Sequence, residues 1–120
     1  MTIQEFYTAV DGDYNAAKKV MMMDQMILRC LPMLAQDSAC AKLRDAWEKR
    51  DRVGVFEALH AMKGVCANLG LTSLSGKAAK ALEPLRPGST LTISDEELSE
   101  QISEIQEQFD MTIARIRELG

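Results

Sequence analysis

The carboxy-terminal stretch constrains this chain most. From Ser94 onward, Leu98, Ile102, Ile105, Phe109, Thr112, Ile116 and Leu119 recur at intervals of four, three, four, three, four and three residues. That spacing draws one apolar stripe along a helix of about six turns, a coiled-coil-like seam. Such a helix must bury its stripe against other helices, so the rest of the chain has to supply partners of the same kind. Ser94 with Glu97 predicts a capping box at its start.

The upstream sequence supplies them. Thr2 with Glu5 predicts a capped short helix that stops at "DGD", residues 11–13, where Asp13 can cap the next. Val20, Met23, Ile27, Cys30 and Leu34 predict one apolar stripe there, bent or interrupted at Pro32. Asp37 or Ser38 can restart the helix, with Cys40, Leu43 and Trp47 facing inward. Asp51 then caps a helix that "GLTS", residues 70–73, closes. Thr72 or Ser73 opens another carrying Leu74, Ala78, Leu82 and Leu85, which Pro84 and Pro87 bring to an end before the loop "RPGST". The predicted fold is all-α: an antiparallel up-down four-helix bundle with a short extra N-terminal helix or helices, residues 1–120 forming a single domain.

Composition narrows the functions. A net charge of −4 and the lack of a basic stripe argue against a nucleic-acid partner. No apolar run approaches the roughly 18 residues of a membrane span, and "MTIQEF" lacks the regions of a signal peptide, so a cytoplasmic location is expected. Cys30, Cys40 and Cys66 are widely spaced among apolar neighbours and read as reduced, buried thiols. Without a C-x-x-C pair or a second histidine, no metal site is expected. The eight methionines read as core filler rather than as a metal- or redox-linked set.

The one histidine carries the chemistry. On the wheel of the helix after Asp51, Val55, Leu59, Met62, Cys66 and Leu69 form the core stripe. His60 lies about 140° from its centre, Gly64 about 180°, Ala67 about 120° and Lys63 about 80°. The imidazole is therefore expected on the surface, with a glycine one turn above it and a lysine beside it. Glycine in mid-helix costs about 1 kcal/mol relative to alanine, and what it offers is room for a partner to approach. Phe56 and Val53 add an apolar rim, and the whole reads as a docking patch.

An exposed imidazole is mostly neutral near pH 7 and can act as a nucleophile. Acid–base catalysis would need a polar cleft, and metal ligation would need converging ligands. Carrying a phosphoryl group needs only a reachable nitrogen, space, and a cation such as Lys63. The sequence has no G-x-G-x-x-G loop, and its nearest approach to a P-loop has Ala78 where Ser or Thr is required. Phosphate donors and acceptors are thus expected on partner proteins.

The stretch "LHAMKGVCANLGLTSL" resembles the signature of histidine-containing phosphotransfer (HPt) domains of two-component phosphorelays. His60, Lys63, Gly64, Leu69, Gly70 and Leu74 match in place, while Leu59 and Met62 stand where that family often has Ala and Leu. The resemblance implies that His60 takes a phosphoryl group, at Nε2, from a receiver aspartyl phosphate or a histidine or hybrid kinase. It then passes the group to a response-regulator receiver domain that holds the Mg²⁺, and the HPt protein has no cofactor of its own. It also implies Lys63 as the stabilising cation and Gly64 as the gap for the receiver, with Asn68 near the partner's edge. A monomer is the expected state. The alternatives are a non-catalytic helical adaptor that binds through the same patch, and a phosphoacceptor module belonging to a kinase.

Overall fold

Side-chain caps fix where four of the helices begin. Oxygens of Thr2, Asp13, Asp51 and Ser94 accept hydrogen bonds from the backbone N–H groups of Glu5, Ala16, Gly54 and Glu97. In the computed structural model, which describes residues 1–119, these caps open α1 (Ile3–Ala9), α2 (Tyr14–Met21), α5 (Arg52–Asn68) and α7 (Asp95–Arg117). Between them lie α3 (Asp24–Cys30), α4 (Ala39–Glu48) and α6 (Thr72–Leu82), with short 3₁₀ turns at Leu31–Gln36 and Glu83–Leu85. The described residues form no strand. The Thr2 box is reciprocal, since the Glu5 carboxylate accepts from the Thr2 N–H at 2.8 Å. The expected box at Ser94 is only half made, because Glu97 turns its carboxylate to the Ser94 hydroxyl, 3.2 Å away, instead of to the backbone.

Helices α4 to α7 form the antiparallel bundle. α5 packs between α4 and α6, and α7 closes the ring against α4 and α6. The α7 seam is buried from Leu98 to Ile116 as its spacing predicts, while Leu119, beyond the helix, is half-buried. Its one polar member, Thr112, satisfies its hydroxyl by donating to the Gln108 carbonyl at 2.8 Å. At the far end, Arg52 donates to the Ile93 carbonyl at 3.1 Å and to Asp95 at 2.6 Å, tying the long α6–α7 connection to the start of α5.

The N-terminal third departs from expectation in one respect. Val20 and Met23 were predicted to share a core stripe with Ile27, yet each is 52% exposed. The cause is Met22, whose φ of +73° ends α2 and turns the chain, so that the inward register restarts in α3. Ile27 and Leu34 are buried as predicted, Ala17 and Leu31 take the inward places of Val20 and Met23, and Pro32 marks the expected interruption. The methionines also correct the core-filler expectation. Only Met62 is fully buried, whereas Met22, Met23, Met33 and Met111 face solvent. Of the three free thiols Cys66 is buried, but Cys30 and Cys40 are only half-buried.

The N-terminal helices are fastened to the turn between α5 and α6. The buried Tyr7 hydroxyl donates to the Leu69 carbonyl at 2.6 Å, and the Asp13 N–H donates to the Gly70 carbonyl at 2.8 Å. Gly70 sits at φ +70°, where a side chain would be strained. Gly12 must also be bare, because a Cβ there would lie 2.8 Å from the Gly70 oxygen and 2.9 Å from the Tyr7 ring. No helix among the described residues is long and apolar enough to cross a membrane.

Candidate functional site

α5 buries Val55, Ala58, Leu59, Met62 and Cys66, and this inward stripe leaves His60 on the opposite, exposed face. Gly64 and Ala67 are exposed beside it, one and two turns on, and Val53 is 69% exposed two turns before it. The space over Gly64 is open, since a Cβ built there would meet nothing within 4 Å. The helix therefore carries a gap one turn from the imidazole that none of the described residues fills.

Phe56 has a different place from the one expected. It is half-buried and packed against the core, and its ring stacks on His60 with centroids 5.9 Å apart and planes inclined by 21°. It is a floor under one edge of the imidazole more than a rim around it. Asn68 is exposed but lies on another flank, in a groove of about 470 Å³ shared with Val65, Leu69, Met21, Cys30 and Met33. Val53, His60, Gly64 and Ala67 thus share one face, while Asn68 belongs to the side that meets the N-terminal helices.

Lys63 is half-buried on the α6 side of His60. The Ser75 hydroxyl donates to the Lys63 carbonyl at 3.0 Å, which sets the two helices level at this point. Among the described residues the Lys63 ammonium makes no ion pair within 4.0 Å, so it is uncommitted. Neither His60 nor Lys63 belongs to a group of His, Cys, Asp or Glu side chains suited to hold a metal, and no such group occurs among the described residues.

Two neighbours escaped the sequence reading. The Arg86 guanidinium carbon lies 5.9 Å from the centroid of the Phe56 ring, and Arg86 also binds Glu83 through two hydrogen bonds, of 3.0 and 3.4 Å. The Arg86 hydrogen bond, with a smaller contribution from the Lys63 charge, holds the Glu83 carboxyl below the usual carboxylate range. Both residues follow α6, more than twenty positions after His60. The available signal was the hairpin itself: folding about Gly70 sets Lys63 level with Ser75 and so brings the end of α6 back alongside Phe56.

An exposed imidazole with a clear approach, an aromatic floor and a free ammonium on the next turn suits transient attachment of an anionic group. A search of curated proteins and a search of solved structures each found no match to the chain. The family model for the Hpt domain matches residues 35–118, which takes in the whole four-helix bundle and every residue placed on the His60 face. This chain belongs to the Hpt domain family, the helical phosphocarriers of phosphorelay-type signalling.

Proposed function

We propose that His60 accepts a phosphoryl group from a receiver aspartyl phosphate, or from a histidine or hybrid kinase, and delivers it to a response-regulator aspartate. The observation that carries this reading is the pairing of an exposed His60 with the open space over Gly64 and the uncommitted Lys63. In the charging step the neutral imidazole nitrogen attacks phosphorus, the P–O bond to the donor carboxylate breaks, and the carboxylate leaves as an anion. The ring proton stays on the other nitrogen, so no general base is required. Discharge to a receiver aspartate is the reverse. The phosphoryl group carries about −1.5 to −2 charge, which Lys63 offsets from this chain. The receiver's Mg²⁺ supplies further neutralisation when that partner is docked.

Val53, Gly64 and Ala67 form the surface on which the receiver lies, and the bare Gly64 lets its loops reach the imidazole. Asn68, on the flank that meets the N-terminal helices, lies outside this surface. The chain is a carrier without an ATP site or a resident cofactor, acts as a monomer, and works in the cytoplasm, where its three thiols stay reduced. The test is transfer of label from a phosphorylated receiver domain to wild type and to His60→Gln. Acid-labile, base-stable label on wild type alone is the expected result. A folded wild-type chain that takes no label from a panel of receivers and kinases would overturn the reading in favour of an adaptor.

A further inference from the structure

The transfer itself calls for a nucleophile, a gap and a cation, yet the structure also places a carboxylate farther along the same flank of α5. Glu83 opens the 3₁₀ turn after α6, and Arg86, just beyond the turn, folds back to bind it with Nε and Nη2, at 3.4 and 3.0 Å. The same guanidinium lies 5.9 Å from the Phe56 ring, and that ring stacks on His60. Arg86, Phe56 and His60 thus form a column along one flank of α5, with Glu83 held against its outer end. Lys63 projects from the same flank, and its charge reaches Glu83. Two cations and one anion therefore lie along the flank of α5 that faces α6, with the Phe56 ring between Arg86 and His60.

In the resting protein Glu83 occupies Arg86 and attracts Lys63, leaving one positive charge in excess. A phosphoryl group on His60 brings about two negative charges to the other end of this column and draws on the same cations through space. It also meets the Glu83 carboxylate as a like charge. We propose that Glu83 tunes how readily His60 takes up a phosphoryl group, by competing for Arg86 and Lys63 and by repelling the incoming anion. This rests on His60 being the phosphoacceptor. Its consequence is a carrier that does not hold its cargo too firmly, as a two-way relay requires.

The experiment uses the full chain and phosphoramidate, a small phosphoryl donor that needs no partner protein. The P–N bond of the donor breaks, a P–N bond to His60 forms, and ammonia leaves with the protons it already carried. Formation of phosphohistidine is followed by ³¹P NMR for wild type, Glu83→Gln, Arg86→Gln and Glu100→Gln. Glu83→Gln should charge faster, roughly two- to fivefold at low ionic strength, and the difference should shrink towards none at about 1 M salt. Arg86→Gln, which leaves the carboxylate unmatched, should charge more slowly than wild type. Glu100→Gln removes the same charge from the exposed face of α7 and should have little effect. Equal rates for wild type and Glu83→Gln, or a gain that salt does not diminish, would overturn this inference while leaving the phosphoacceptor intact. A folded wild type that phosphoramidate cannot label would overturn both.

Discussion

Replacing Gly64 by alanine should make the protein more stable. The backbone there is helical without a positive φ, and an added Cβ would meet nothing within 4 Å, so the new methyl group brings no clash. Glycine in mid-helix is worse than alanine by about 1 kcal/mol. With an unfolding entropy near 2.1 cal/mol/K per residue, a chain of this length gives about 250 cal/mol/K, so the thermal midpoint should rise by about 4 °C. Gly76→Ala on α6 is the reference, because its Cβ position is equally empty. Gly64→Gln should still gain roughly half that stability, but its amide would stand in the approach to His60. That variant should melt above wild type and yet receive phosphoryl groups from a receiver at least about tenfold more slowly. Circular dichroism melts and a receiver-transfer time course, run on the same preparations, decide the matter. A lower midpoint for Gly64→Ala would refute the account of the empty space. Undiminished transfer to Gly64→Gln would refute the account of what the space is for.

Other expectations follow from single contacts. Lys63→Ala should leave the melting curve within a degree or two of wild type but slow transfer roughly tenfold, and unaltered kinetics would make Lys63 an ordinary surface lysine. Tyr7→Phe should cost about 1–3 kcal/mol in urea denaturation, because the Leu69 carbonyl loses its buried donor. Burial raises the Tyr7 hydroxyl well above its ordinary pKa, so the folded state favours the protonated phenol. Its stabilisation is therefore complete below about pH 10, the unfolded value, and is lost as pH rises towards the folded one. The wild-type advantage over Tyr7→Phe should narrow in that alkaline range. Burial pushes the Cys66 thiol up to about 12. Burial raises the half-buried Cys40 thiol as well, so a thiol reagent at pH 8 should modify Cys30 first, Cys40 more slowly and Cys66 only on unfolding, with mass spectrometry assigning the order.

Much of this fold could be read from spacing, and the exceptions have identifiable causes. The seam of α7 and the stripe of α5 were legible because both helices are long, and a long helix repeats its pattern often enough to fix one face. His60, Lys63 and Gly64 then fell into place from helical geometry alone. The segment around Val20 and Met23 misled because a single left-handed residue, Met22, resets the register, and methionine gives no sequence signal for that conformation. Cys30 and Cys40 look apolar by context, yet both are only half-buried, because apolar neighbours in sequence do not fix how deep a residue at the edge of a stripe lies. Phe56 was correctly placed near the histidine, but its role as a stacking floor depended on rotamers. Arg86 and Glu83 were missed because Arg86 comes to Phe56 only through the return of the α5–α6 hairpin, which the turn at Gly70 signals but a search confined to one helix does not follow.

The fastening of Tyr7, Gly12 and Asp13 onto the α5–α6 turn bears on where this protein can be cut. The family match begins at residue 35, which invites treating the N-terminal helices as an appendage. A fragment starting there would uncover Leu69 and Leu71, both almost wholly buried, and would strip the donors from the carbonyls of Leu69 and Gly70. That turn is what holds the two helices bordering His60 in their relative height. The cooperative unit is thus larger than the recognisable one, and amide exchange in α1 should keep pace with exchange at the α5–α6 corner and in the bundle core. Comparison of sequences delimits what this protein shares with its relatives; the hydrogen bonds delimit what melts together.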